Sequence, residues 1–308
     1  MGFQPRINIH ADDYGMVSQS NQRIQACWEN GCINGVSVMV NGSQPALAGE
    51  CPAIPAALHL NLVEGRPLTP SDQVPLLVRP DGMFAHSFFG LLLLSFSGKR
   101  KELERQLYLE IEAQLMAFQR LYPALEELSV DSHQHTHMIP LVFHTLLRVI
   151  RDRNIRVGYL RVPAEPIVPF LLEPSLYPTY RPVNLLKNIV LNILWQFNRR
   201  AFRESGISTA IFCGIIFSGE MDEGRLKKVF PHFCRLASRR EQDLEFLFHP
   251  GAILPGEPFL DPDKAGFCQF YLSPGRQTDA DTVCSESWQD LLRSVSEKEE
   301  GCAFAVLE

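Results

Sequence analysis

Apolar and polar positions follow two periods along this chain, and the changes of period mark its elements. Short aliphatic or β-branched runs at 6–10, 35–40, 56–62, 128–133, 157–162, 209–213 and 243–248 have the length of strands. Between them the apolar spacing changes to three and four. Residues 19–30 read as a helix closed by Gly31 near its C-cap. Over 101–122 the residues Leu103, Leu107, Ile111, Leu115, Phe118 and Leu121 make one buried face, and Pro123 stops the helix. Further helices are expected over 140–151, 223–238 and near 287–295, with a small one near 45–49. Strands alternating with helices predict an α/β fold with a mostly parallel sheet, open or closed into a barrel.

The pattern breaks in two places. Residues 64–85 hold several prolines and glycines and read as a long loop; residues 163–182 carry six prolines and read the same way. An apolar stretch adjoins each break, at 88–94 and at 185–197. The segments 64–100 and 163–205 are therefore expected to be apolar inserts on one domain spanning 1–308. Such a stretch serves as core or dimer contact, as a lid over an apolar substrate, or as an interfacial anchor. No window reaches 18 apolar residues, so no bilayer-spanning helix is expected. Acidic residues precede any apolar run near the N-terminus, which predicts no signal peptide and a cytoplasmic protein.

Composition narrows the function classes. A chain of 308 residues with 45% hydrophobic and 21% charged residues is a folded chain, neither disordered nor a coiled coil. Lys and Arg number 29 against 35 Asp and Glu, a net charge of −6, which argues against a nucleic-acid partner bound through its phosphates. The eight cysteines include no CxxC pair, which excludes a zinc ribbon or iron–sulfur cluster and suggests reduced, buried thiols. Neither GxGxxG nor GxxxxGK[ST] follows the first strand, so dinucleotide and P-loop binding lack support.

The candidate chemistry lies where a parallel sheet binds ligands, outside the carboxyl ends of its strands. Asp12 and Asp13 end the first strand, His59 lies in the third, His133, His135 and His137 end the fourth, and His249 ends the seventh. A carboxylate with two imidazoles suits Zn²⁺, Fe²⁺, Mn²⁺ or Co²⁺ and leaves positions open. One of the paired aspartates can then bind an ion while the other takes a proton. If the fourth strand continues, period two puts its three histidines on one face; one ligates and the others shape the pocket. Ordinary readings compete: a turn and cap for Asp12-Asp13-Tyr14-Gly15, a core histidine for His59. The three-histidine run resists such a reading, because clustered buried imidazoles cost desolvation without return.

Taken together, HADDYG at 10–15, NGCINGVSVMVNG at 30–42, ALHLNLVEGRPL at 57–68, DSHQHTHMIP at 131–140, LRVPAE at 160–165 and FHPG at 248–251 resemble one family in order. It is the YdjC-like carbohydrate deacetylase family, which includes chito-oligosaccharide deacetylases and hopanoid-biosynthesis-associated deacetylase-like proteins. The resemblance implies a distorted (β/α) barrel of about seven mostly parallel strands, one divalent metal ion (Mg²⁺ or Zn²⁺) and a homodimer. It also implies hydrolysis of the N-acetyl group of an acetylated amino sugar. Carried over motif by motif, Asp13, His59 and His133 are the metal ligands, Asp12 the general base and His249 the general acid. Arg161, Asn61, His135 and His137 are then groups that orient substrate or support the ligands. The apolar stretches exceed what a soluble sugar needs, which brings in a lipid-linked substrate and a protein peripheral to the membrane. Rival readings are another metal-dependent hydrolase, an amidohydrolase or phosphodiesterase, and a non-catalytic, metal-stabilised binding protein.

Overall fold

The computed structural model describes residues 3–44 and 54–303, with side chains described to residue 295. The helix expected near 45–49 lies outside the described residues. Among the described residues seven strands form the sheet: β1 (Ile7–Tyr14), β2 (Gly35–Val38), β3 (Ala56–Leu60), β4 (Leu128–Ser132), β5 (Val157–Leu160), β6 (Ile211–Cys213) and β7 (Leu244–Phe248). Their order is β5-β4-β3-β2-β1-β7-β6, and every neighbouring pair is parallel. At the outer edge Leu160 N donates to Ser208 O (3.0 Å) and Ser208 N to Gly158 O (3.1 Å). The chain entering β6 thus touches β5, and the sheet curls into a half-barrel. β2, β3 and β7 are buried along their whole length, as strands covered on both faces must be.

Helices cover the outside: α1 (Ser18–Glu29), α2 (Phe88–Leu94), α3 (Arg100–Leu121), α4 (Pro140–Asp152), α5 (Val168–Leu171), α6 (Pro182–Ser205), α7 (Glu223–Arg240), α8 (Ala265–Tyr271), α9 (Pro274–Val283) and α10 (Glu286–Ala303). The long periodic helix is α3. Its Leu103, Leu107, Ile111, Leu115 and Phe118 are fully buried, each stabilising the fold by roughly 1.5–3 kcal/mol relative to exposure. α1 ends as expected, with Gly31 at φ +69 just beyond its last turn.

The structure corrects several expectations. β1 runs on past both aspartates to Tyr14. The proline-rich stretch 163–182 holds α5 and a 3₁₀ turn at Pro174–Thr179, because Pro is compatible with a helix's first turn. The apolar stretch at 185–197 belongs to the 24-residue helix α6, and that at 88–94 is α2. Two helices, α8 and α9, occupy the C-terminal region expected to be loop. β4 stops at Ser132, one residue before His133.

Candidate functional site

The site begins with an irregularity in β1. Ala11 pairs with Val36 and Tyr14 with Val38, so β1 advances three residues while β2 advances two. The extra residue is a bulge, and Asp13 sits at φ +70. Strict alternation would send Asp12 and Asp13 to opposite faces; with the bulge both line the same cleft, and both are buried. Gly15 follows at φ +95, where a Cβ would lie 2.7 Å from the Met39 carbonyl oxygen. Only glycine fits that turn.

Three donor atoms converge beside the bulge. Asp13 Oδ1 lies 3.1 Å from His133 Nδ1 and 3.5 Å from His59 Nε2. Each group is anchored from behind. His59 Nδ1 bonds Asp131 Oδ1 at 2.6 Å, His133 Nε2 bonds Glu64 Oε2 at 3.1 Å, and Asp13 Oδ2 accepts from Arg276 Nη2 at 2.7 Å. The Tyr271 hydroxyl donates to the same Glu64 oxygen. Asp13 Oδ1 itself is buried without a well-aligned hydrogen bond. A carboxylate oxygen in that condition, facing two imidazole nitrogens held by carboxylates, is a donor set that fits a divalent ion.

The electrostatics point the same way. Burial would raise the Asp13 carboxyl, but Arg276 and the adjacent His133 and His59 imidazoles hold it well below the usual carboxylate range. Burial would lower His59, yet Asp12 and Asp131 push it up to about 10. His133 is likewise raised against its burial by Asp13 and Glu64. The buried carboxylates thus recruit protons onto the imidazoles, where a cation would serve instead.

Arg161 organises the floor. It is fully buried; its Nη1 is 2.9 Å from both oxygens of Asp12, and its Nη2 is 3.0 Å from Asp131 Oδ2 and 2.6 Å from Glu245 Oε1. The Tyr159 hydroxyl bonds the other Glu245 oxygen. The guanidinium fixes the Asp12 carboxylate, whose Oδ2 stands 3.9 Å from His59 Nε2. His10, Asp12 and Asp131 form a second group of donor atoms, but Arg161 already supplies the cation between its two carboxylates.

The three histidines of the 133–137 run diverge. They fall in a 3₁₀ turn at His133–Met138 with Gln134 at φ 53 and His135 at φ 55, so the shared face expected of a continuing strand does not form. His133 joins the donor cluster. His135 lines the cleft edge-on to Phe212, and burial, then Arg161, keeps its pKa well below the usual value. His137 points inward, 2.5 Å from Ser132 Oγ and 2.8 Å from the Arg161 carbonyl oxygen; burial lowers its pKa to about 4. Asn61 is also internal, accepting from Glu64 N at 3.1 Å and donating to Glu64 O at 2.6 Å, which shapes the turn that presents Glu64.

His249 follows β7, whose Phe248 pairs with Ala11 of β1, and lines the same cleft. Its backbone N–H donates to Asp279 Oδ2 at 2.8 Å, and its Nδ1 is 3.8 Å from the same oxygen. The cleft encloses about 400 Å³ at the carboxyl ends of the strands. Its floor is polar; Phe88 and Phe89 of α2, Val190 and Leu191 of α6, and Phe267 and Phe270 give apolar walls.

Sequence reasoning did not single out Glu64, Asp131, Glu245, Arg276, Tyr271 and Asp279. Glu64 and Asp131 lie inside motifs already quoted and were within reach, as acids flanking the histidines. Arg276, Tyr271 and Asp279 come from α8 and α9, which the composition of that region concealed.

Fold and cluster together define a parallel α/β half-barrel protein with a carboxylate and bis-imidazole candidate metal centre. The chain belongs to the family of YdjC-like proteins, whose model matches residues 6–294. It is similar to a carbohydrate deacetylase of Danio rerio, 33% identical over 168 residues, 53% of this chain and 52% of that one. A carbohydrate deacetylase of Homo sapiens is 30% identical over 170 residues, 52% of this chain and 49% of the relative. A chitooligosaccharide deacetylase of Yersinia pestis (strain Pestoides F) is 26% identical over 151 residues, 48% and 56% of the two chains. The matched region thus spans about half the length of these curated relatives. The fold is shared with a crystal structure from Enterococcus faecalis V583, provisionally named a cellobiose-phosphate cleavage protein, at TM-score 0.64 and 17% identity over 95% of each chain.

Proposed function

We propose that this protein is a metal-dependent hydrolase that removes the N-acetyl group from an acetylated amino sugar. The observation that carries the reading is the convergence of Asp13 Oδ1, His59 Nε2 and His133 Nδ1 with a second carboxylate, Asp12, beside them. The names of the relatives supply the substrate class.

Asp13, His59 and His133 would hold one divalent ion, Mg²⁺ or Zn²⁺. When bound, such an ion polarises the amide carbonyl and makes water a better nucleophile near neutral pH. Asp12 takes the proton of the attacking water, its carboxylate kept in plane by the two contacts from Arg161. His59 donates Nδ1–H to Asp131 and His133 donates Nε2–H to Glu64, which turns the opposite nitrogen of each ring towards Asp13, where it would face the ion once its proton is displaced. His249, steered by Asp279, gives a proton to the departing sugar nitrogen, which otherwise leaves as a poor amide anion. His135, at the cleft wall, contacts substrate; His137 and Asn61 act through the backbone they hold.

The cleft has the volume of a small-ligand site and mixes a charged floor with aromatic walls. Those walls suit the C–H face of a sugar ring and the hydrocarbon of a lipid-linked one. A two-ion phosphodiesterase centre lacks comparable support, since Arg161 bonds two of the three residues of the second donor group.

The test is acetate release from N-acetylglucosamine oligomers and N-acetylglucosaminyl lipids, with metal-stripped and reconstituted protein. Wild type releases acetate only when reconstituted. Asp12→Asn keeps the metal and loses roughly 10²–10⁴-fold in turnover, whereas His59→Ala and His133→Ala lose both. Wild-type turnover in Asp12→Asn removes Asp12 from the base role; no acetate from any acetylated sugar removes the deacetylase reading.

A further inference from the structure

We propose that the face around the cleft mouth is a docking surface for an anionic lipid membrane. The cleft opens between α2, which contributes Phe88 and Phe89, and α6, which contributes Lys187, Val190 and Leu191. Both helices expose large apolar side chains beside that opening. On α6, Val183, Leu186, Ile189, Ile193 and Phe197 are all more than half exposed. Their spacings of three and four make a single stripe, and it lies away from the face formed by the buried Asn184, Asn188, Leu191, Asn198 and Phe202. On and just after α2, Leu93 and Phe96 are 72% and 73% exposed, and Phe89 is 52% exposed. Contiguous exposure on this scale marks an interaction surface.

Charge selects the occupant. Residues 88–101 carry Lys99, Arg100 and Lys101 and no acid; residues 181–203 carry Arg181, Lys187, Arg199, Arg200 and Arg203 and no acid. Arg181 pairs with Glu220 and Arg200 with Glu204, and Lys187 lines the cleft, while Lys99, Arg100, Lys101, Arg199 and Arg203 stand exposed towards the ends of the two apolar segments in a chain whose net charge is −6. Apolar residues flanked by Lys and Arg are the signature of an element lying in the headgroup region of an anionic leaflet. A second copy of the chain complements this face poorly, because a two-fold interface would bring cationic borders against themselves. No helix among the described residues is long and apolar enough to cross a membrane, so the contact is peripheral. The inference does not depend on the reaction proposed above.

Flotation of the full-length protein with vesicles tests it, without any turnover measurement. Wild type should float with phosphatidylcholine vesicles that contain phosphatidylglycerol, less with phosphatidylcholine alone, and less at high salt. The variant Leu186→Glu/Ile193→Glu/Phe197→Glu, changed only at exposed positions, should lose roughly tenfold in its bound fraction while keeping the wild-type circular dichroism spectrum. Lys99→Gln/Arg100→Gln/Lys101→Gln should weaken binding to anionic vesicles specifically. Wild type that stays at the bottom of the gradient with both lipids overturns the proposal. So does a stable dimer, seen by sedimentation velocity, that the triple Glu variant dissolves without any change in flotation.

Discussion

Glu64 shows how much of the site rests on single side chains that touch neither solvent nor substrate. It is fully buried and bonded to both His133 and the Tyr271 hydroxyl. A neutral amide would keep the shape but weaken the orientation and basicity of the His133 ring. Glu64→Gln should therefore lower metal affinity by about 10–100-fold with little change in fold, as measured by competition with a chromogenic chelator. An unchanged affinity would show that the contact does not tune His133.

The protons on the two imidazoles give a pH dependence with a definite sign. Without an ion, His59 is raised to about 10 and His133 is also raised, so an ion must displace the His59 proton at neutral pH and competes with protonation of His133. Apparent metal affinity should rise as pH increases from 6 towards 9 and fall below neutrality. Calorimetric titration in two buffers of different ionisation heat should show at least one proton released per ion. Binding that is independent of pH would contradict the protonated imidazoles.

Among the elements, the C-terminal end of β1 matters most. The sequence put two adjacent aspartates at a strand end, and sharing of labour between them was legible there; the means was not. Alternation forbids two neighbours on one side of a strand, and it takes the bulge and the φ +70 of Asp13 to overcome it. Gly15 fixes the following turn. Gly15→Ala should cost more than about 1 kcal/mol, through positive φ and the clash with Met39 O, and should lower metal affinity as Asp13 shifts. Urea unfolding with a parallel metal titration checks both; a stable variant with normal affinity would show that the turn tolerates a side chain. The 133–137 run taught the opposite lesson. Its period-two spacing suggested a shared face, but spacing carries that meaning only inside a strand, and β4 stops at Ser132.

Across the whole molecule, the parallel sheet and α3 were legible because their burial is periodic and strong. α6 was not, since prolines precede it and three buried asparagines, Asn184, Asn188 and Asn198, interrupt its core face. Those residues find partners only in the folded chain: Asn184 at the Ile216 and Ser218 carbonyls, Asn188 at Glu165, Asn198 at the Met138 carbonyl. The same concealment applies to α8 and α9. Both bring Arg276, Tyr271 and Asp279 to the site from far along the chain, so three of its supporting residues came from helices no local pattern marks.

The proposed centre draws its residues from four strand ends, those of β1, β3, β4 and β7, arranged so that the first three share one ion. An anomalous-difference map from crystals of the protein soaked in Zn²⁺ tests this most directly. One strong peak is expected within coordination distance of Asp13, His59 and His133, with Asp12 beside it and outside the ligand shell. A map with no peak among those three residues, or with its strongest peak elsewhere, would contradict it.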